Sequence, residues 1–182
     1  MLAVCTPVAW MVGASSAAAA TVSVDIDRRG DTVVIEASAR LAADAATAWR
    51  VLTDYDRYGN FIPGVRSSRV VARRGSAVIV EQSDDVGFWL LRLPLRVTYE
   101  VAEYPPSRLR SNATASTLPA LESSYVLTPA ASGVRLDYVG HVGPGLAFLG
   151  RIEQRILQKD IVRRFQALAD EIERRSATNG AH

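Results

Sequence analysis

The groups able to carry covalent or proton-transfer chemistry are few in this chain. It has one cysteine, Cys5, and two histidines, His141 and His182. That supply cannot build a Cys/His nucleophile pair or the usual zinc site. No metal and no cofactor is therefore expected. His141 shares its alternation phase with Arg135 and Asp137, which reads as the solvated side of a strand. Glu122, Ser123 and Ser124 form no hydrolase pattern. A polar site assembled from tyrosines, Asn112, Arg110 or Glu122 stays open. Arg151, Arg155, Lys159 and Arg163 recur every fourth residue and so line one ridge of a helix. They read either as an ordinary solvated face or as a contact for anionic headgroups during a peripheral membrane encounter.

These side chains need elements to hold them, and one element dominates. From Gly145 to Ser176 the apolar residues Leu146, Leu149, Ile152, Ile156, Leu157, Ile161, Phe165, Leu168, Ala169 and Ile172 recur mostly at steps of three and four. That period predicts a long amphipathic helix. Its apolar face needs a sheet to cover, and the rest of the chain supplies strands. Thr32–Leu41 alternates apolar and polar residues. Asp44 then caps a short helix, and the stretch from Thr53 to Pro63 fits a second helical turn. About six consecutive strands follow, from Val65 to Val142. The longest carries Leu91, Leu93, Leu95, Val97 and Tyr99 in one phase, with Pro94 in the other, where an edge or a bulge would tolerate it. Strands joined by short turns make an antiparallel meander. The first strand must then pair with its far side.

The 182 residues amount to one domain, with 48% apolar and 22% charged residues, and a formal charge of +2 is too small to imply a nucleic-acid partner. Residues 1 to 24 carry no charge, and an apolar run gives way to small residues ending at Ala20. This is the pattern of a secretory signal cleaved after Ala20, although no Lys or Arg precedes the apolar run. A retained anchor fits residues 13 to 20 poorly, and Val4 before Cys5 is wrong for a lipoprotein box. The expected organisation is a signal peptide over residues 1–20, a linker over 21–31, a ligand-binding domain over 32–176 and a disordered tail over 177–182, in an exported, periplasmic protein.

The stretch Ala46-Thr-Ala-Trp49, followed by Leu52-Thr-Asp54-Tyr-Asp-Arg-Tyr58-Gly-Asn-Phe61-Ile-Pro63, together with the element order from Thr32 to Glu173, resembles the START-like superfamily with its helix-grip fold. The likeness is greatest to its polyketide cyclase/dehydrase and coenzyme-Q-binding branch. The resemblance implies an α+β architecture, with a curved antiparallel sheet wrapped around a long C-terminal helix and two short helices after the first strand. It also implies a cavity between sheet and helix for a hydrophobic small molecule such as a quinone, a lipid or a polyketide-like aromatic. Candidate lining residues are then Leu91, Leu93, Leu95, Tyr99, Tyr125, Leu127, Leu136 and Tyr138 from the strands, with Leu149, Ile152, Ile156 and Phe165 from the helix. Tyr58, Phe61 and Ile62 are candidate gate residues, although Trp49, Asp54, Tyr55 and Pro63 around them read mainly as packing. Two functions follow: an exported, non-enzymatic binding protein, or an aromatase/cyclase-type enzyme using the same cavity. Binding needs apolar walls, whereas cyclisation needs a placed acid or base.

Overall fold

The computed structural model describes residues 20–180 other than 89–90, 118–119 and 144–150, with side chains left aside at 86–88, 91–93 and 151–154. The expectations for the leader over residues 1–19 and for Leu149 fall outside the described residues. So do the side chains of Leu91, Leu93, Arg151 and Ile152.

Alternation of apolar and polar residues lays down eight strands: β1 (Thr21–Arg29), β2 (Thr32–Leu41), β3 (Val65–Arg74), β4 (Ala77–Phe88), β5 (Leu91–Tyr104), β6 (Arg108–Ser116), β7 (Leu121–Ala130) and β8 (Gly133–Val142). They form one antiparallel sheet in the order β1-β2-β8-β7-β6-β5-β4-β3. The pairing of β2 with β8 is the closure expected across the helical excursion. Pro94 pairs with Asp85 on β4, while the ladder from β5 to β6 begins only at Val97, so the missing N–H of proline falls beyond the end of β6.

The excursion itself holds α1 (Ala45–Leu52), a 3-10 turn (Tyr55–Arg57) and α2 (Tyr58–Phe61). Asp44 caps α1 by accepting from the Thr47 backbone N–H at 2.7 Å and from its hydroxyl at 2.8 Å. These bonds, chiefly the one from the Thr47 hydroxyl, hold the Asp44 carboxyl below its usual value. The quoted motif then ties the turn to distant elements. Tyr55 donates to Glu103 on β5 at 3.0 Å, Asp56 accepts from the Val70 N–H at 2.7 Å, and the Tyr58 hydroxyl donates to the Leu52 carbonyl.

The last helix, α3 (Arg151–Asn179), spans 29 residues, about 43 Å at 1.5 Å per residue. Its buried residues Phe165, Leu168, Ala169 and Ile172 meet Ala37, Ala39, Val80 and Leu136 of the sheet and Val51 and Leu52 of α1, while Leu157 packs in a second cluster with Val33, Ile35 and Val142. The architecture is the α+β helix-grip arrangement, a curved sheet around a long C-terminal helix.

Two boundaries differ from the sequence reading. Residues 21–29, expected as part of a linker, form β1, in register with β2 from Thr21↔Arg40 to Arg29↔Thr32. Val22, Val24 and Ile26 turn toward α3, and Gln158 and Gln166 of α3 donate to the carbonyls of Val24 and Ala20. At the other end, 177–179 were expected as disordered tail but continue α3. Arg175 binds Asp54 at 2.7 Å, and Asn179 donates to the Thr47 hydroxyl at 3.4 Å, so the polar end of the helix docks on the α1 region.

Candidate functional site

Between the concave face of the sheet and α3 lies a cavity of about 230 Å³. Strand alternation sends Val80, Val101 and Leu109 into it, and helical spacing adds Ile161, Phe165 and Leu168. Ile62, from the loop that follows α2, and Val65, the first residue of β3, also line it. Five tyrosines, Tyr55, Tyr58, Tyr99, Tyr125 and Tyr138, complete an aromatic wall. Tyr125 and Tyr138 face each other across β7 and β8 with ring centroids 4.8 Å apart, and Tyr138 approaches Phe165 at 6.4 Å.

The floor beneath Tyr138 depends on a missing side chain. Its ring folds back along its own strand over Gly140, where a Cβ would stand 2.5 Å from the hydroxyl oxygen and 3.0 Å from Cζ.

Polar groups enter the cavity at two places. In its middle, Ser111 and Ser123 lie opposite each other on β6 and β7 with hydroxyls 2.7 Å apart, and Ser123 also bonds Tyr138. Further along β4 stand Gln82 and Asp84, met by Arg164 from α3. Gln82 donates to both Asp84 oxygens at 2.9 and 3.0 Å. Arg164 binds Asp160 at 2.8 Å, Asp84 at 3.1 Å and the Asp85 carbonyl at 2.5 Å. Asp84 and Asp160 are only 6% and 1% exposed, and Arg164 is the cation that both desolvated carboxylates share. Burial pushes the Asp84 carboxyl up, against the pull of Arg164. Gly64, at φ +84°, leaves room for the Arg164 guanidinium beside the Asp85 carbonyl.

The candidate residues distribute unevenly. Tyr99, Tyr125, Tyr138 and Phe165 line the cavity, as do Tyr58 and Ile62 of the suggested gate. Leu95, Leu127 and Leu136 are buried, but none of them faces the cavity. Leu127 and Leu136 belong to the main core instead. Ile156 is half-buried outside the cavity. Phe61 packs edge-on to Tyr58 and under Arg175, and lines a surface groove with Arg50, Arg57 and Arg174. Arg155, Lys159 and Arg163 are exposed, and Arg163 pairs with Asp160 at 2.5 Å. Asn112, Arg110, Glu122 and His141, weighed as parts of a polar site, are all exposed and absent from the cavity wall. Sequence reasoning missed Gln82, Asp84, Arg164, Ser111 and Ser123. The first two do share the inward phase of Val78 and Val80, which was the available signal. Among the described residues, no group of three or more His, Cys, Asp and Glu side chains could hold a metal.

A family described as polyketide cyclase / dehydrase and lipid transport matches residues 32–177. The chain belongs to this family. Solved structures agree with membership in the polyketide cyclase/dehydrase and lipid transport family at the level of the fold. A STAR-related lipid transfer protein from Xanthomonas axonopodis superposes with a TM-score of 0.64 at 17% identity, covering 87% of this chain and 96% of that one. The Zhui aromatase/cyclase from Streptomyces sp. R1128 gives 0.65 at 15% identity, covering 79% and 95%. A START superfamily protein from Mycobacterium smegmatis gives 0.59 at 16%, covering 81% and 97%. The comparison with curated proteins gives no match. The family thus places this chain among proteins with a cavity suited to hydrophobic ligands, and its neighbours include both a transfer protein and an aromatase/cyclase.

Proposed function

We propose that this protein is an exported, non-enzymatic carrier of a hydrophobic small molecule, a quinone, lipid or polyketide-like aromatic, held in the cavity between the sheet and α3. The observation that carries the reading is the wall itself. It is mostly aliphatic and aromatic, with a few convergent polar groups, the usual constitution of a ligand pocket. A narrower kinship with coenzyme-Q-binding relatives is part of this proposal. So is export to the periplasm, which rests on the uncharged leader and its small residues ending at Ala20. On the same reading the exposed Arg155, Lys159 and Arg163 meet anionic headgroups while ligand is exchanged. Among the described residues, no helix is long and apolar enough to cross a membrane.

One observation favours the aromatase/cyclase reading instead. Asp84 is a cavity-wall carboxyl with a raised pKa, near Tyr99, and a group so placed is suited to proton transfer. Mass spectrometry of material extracted from the native protein separates the two. A carrier yields a stoichiometric, chemically unchanged hydrophobic compound. A ring-closed product formed from a linear polyketide-like substrate, and lost in Asp84→Asn, makes the protein an enzyme. Intact mass of the secreted protein should begin at or near Thr21, and a mature protein retaining Met1 overturns export.

A further inference from the structure

The three ligand chemistries left open by the carrier reading differ in what they offer to buried hydroxyl groups. We infer that the occupant is a compact, oxygen-bearing ring system of one or two fused rings, not an acyl chain. The inference rests on the carrier reading and narrows it.

The first ground is room. A cavity of about 230 Å³ lies below the ~300–1,000 Å³ usual for drug-sized ligands, so a molecule of roughly a dozen non-hydrogen atoms suits it. The second ground is unspent hydrogen-bonding capacity. Tyr138 is engaged by Ser123, and Ser123 by Ser111. Among the described residues, the hydroxyls of Tyr99 and Tyr125 take no protein partner, although both residues line the cavity. Burial pushes both phenols up, with neighbouring tyrosines adding to the effect, so each remains a protonated donor at any physiological pH. An occupant that displaces water from these donors without supplying acceptors forfeits their hydrogen bonds. An acyl chain supplies none along its length, whereas carbonyl and ring oxygens do.

The third ground is placement. Tyr125 stands on β7, two residues from Ser123 and on the same face, and Tyr99 stands on β5 opposite Ala113, two residues beyond Ser111. The two free donors therefore approach from different sides of the serine pair. They match a rigid molecule with oxygens at two separated ring positions. Gln82, which lines the same cavity, spends its amide nitrogen on Asp84, so its carbonyl is the group it has left to accept from a ligand hydroxyl.

The test titrates the full chain with chromone, naphthalene and palmitate, each displacing a fluorescent hydrophobic probe, in wild type, Tyr99→Phe and Tyr125→Phe. Chromone and naphthalene have nearly the same shape but differ in their oxygens. Chromone should bind at least about tenfold more tightly than naphthalene, and each phenylalanine variant should weaken chromone by roughly three- to tenfold while leaving naphthalene unchanged. Neither variant removes a protein hydrogen bond, so both should melt at or above the wild-type temperature, which serves as the folding control. Equal affinity for chromone and naphthalene, or indifference of chromone to both variants, overturns the inference. Preference for palmitate overturns it while leaving the carrier reading intact. Failure of every ligand and of the probe itself brings down both.

Discussion

Arg164 is the residue on which the polar end of the cavity depends, because it is the shared partner of Asp84 and Asp160. Arg164→Met keeps most of the side-chain volume but leaves two desolvated carboxylates without that partner, a change expected to cost about 3–5 kcal/mol. Urea denaturation at neutral pH measures it. Adding Asp84→Asn should return part of the loss, since an amide can still bond Gln82, and the shortfall from additivity reports the coupling. Glu171 makes the opposite kind of contribution. Bonds from Arg174 and Arg175 hold its carboxyl down at about 2, from an ordinary 4.5. The folded state thus gives up this proton more readily than the unfolded one. The resulting stability is complete above about pH 4.5 and drains away as pH falls toward 2. Glu171→Gln should flatten that acid limb of a plot of urea midpoint against pH. For Asp84 the sign reverses: its raised pKa makes stability fall as pH climbs from 3.8 through the folded value, and Asp84→Asn should remove that slope.

Among the elements, β1 has a role its modest burial hides. It covers the outer side of β2 along nine paired positions and lends Val22, Val24 and Ile26 to α3. Deleting Thr21–Arg29 would turn β2 into an open edge with unpaired N–H and C=O groups, so the shortened protein should self-associate, as size-exclusion chromatography would report. The same strand shows what sequence patterning conveys and what it omits. β2 and β5 were legible because apolar alternation runs through them almost unbroken. β1 alternates too, but Asp25, Asp27, Arg28 and Arg29 give it the look of a linker, and only its pairing with β2 explains why it is ordered. Residues 177–179 likewise read as a tail until Arg175 and Asn179 are seen to dock on Asp54 and Thr47. The tyrosines of the cavity could be nominated from strand phase. Arg164 could not: helical spacing sets it between Ile161 and Leu168 on the apolar face, but nothing in the sequence names its partner Asp84, 80 residues away.

For the molecule as a whole, the cavity exists because the long helix and the curved sheet do not close completely on each other, and because one tyrosine lies flat instead of upright. Tyr138 can lie flat only while position 140 carries no side chain. Gly140→Ala should lift the ring toward Phe165, shrink the space available and weaken a two-ring ligand at least about tenfold, with a smaller effect on a single ring. Titration with ligands of graded size would check this, and equal losses for both sizes would argue against it. A position that touches no occupant can therefore decide which occupants are admitted. Related chains with a bulkier residue there would be restricted to narrower cargo even if every wall residue were the same, making the bare backbone at 140 a size filter set from beneath the floor.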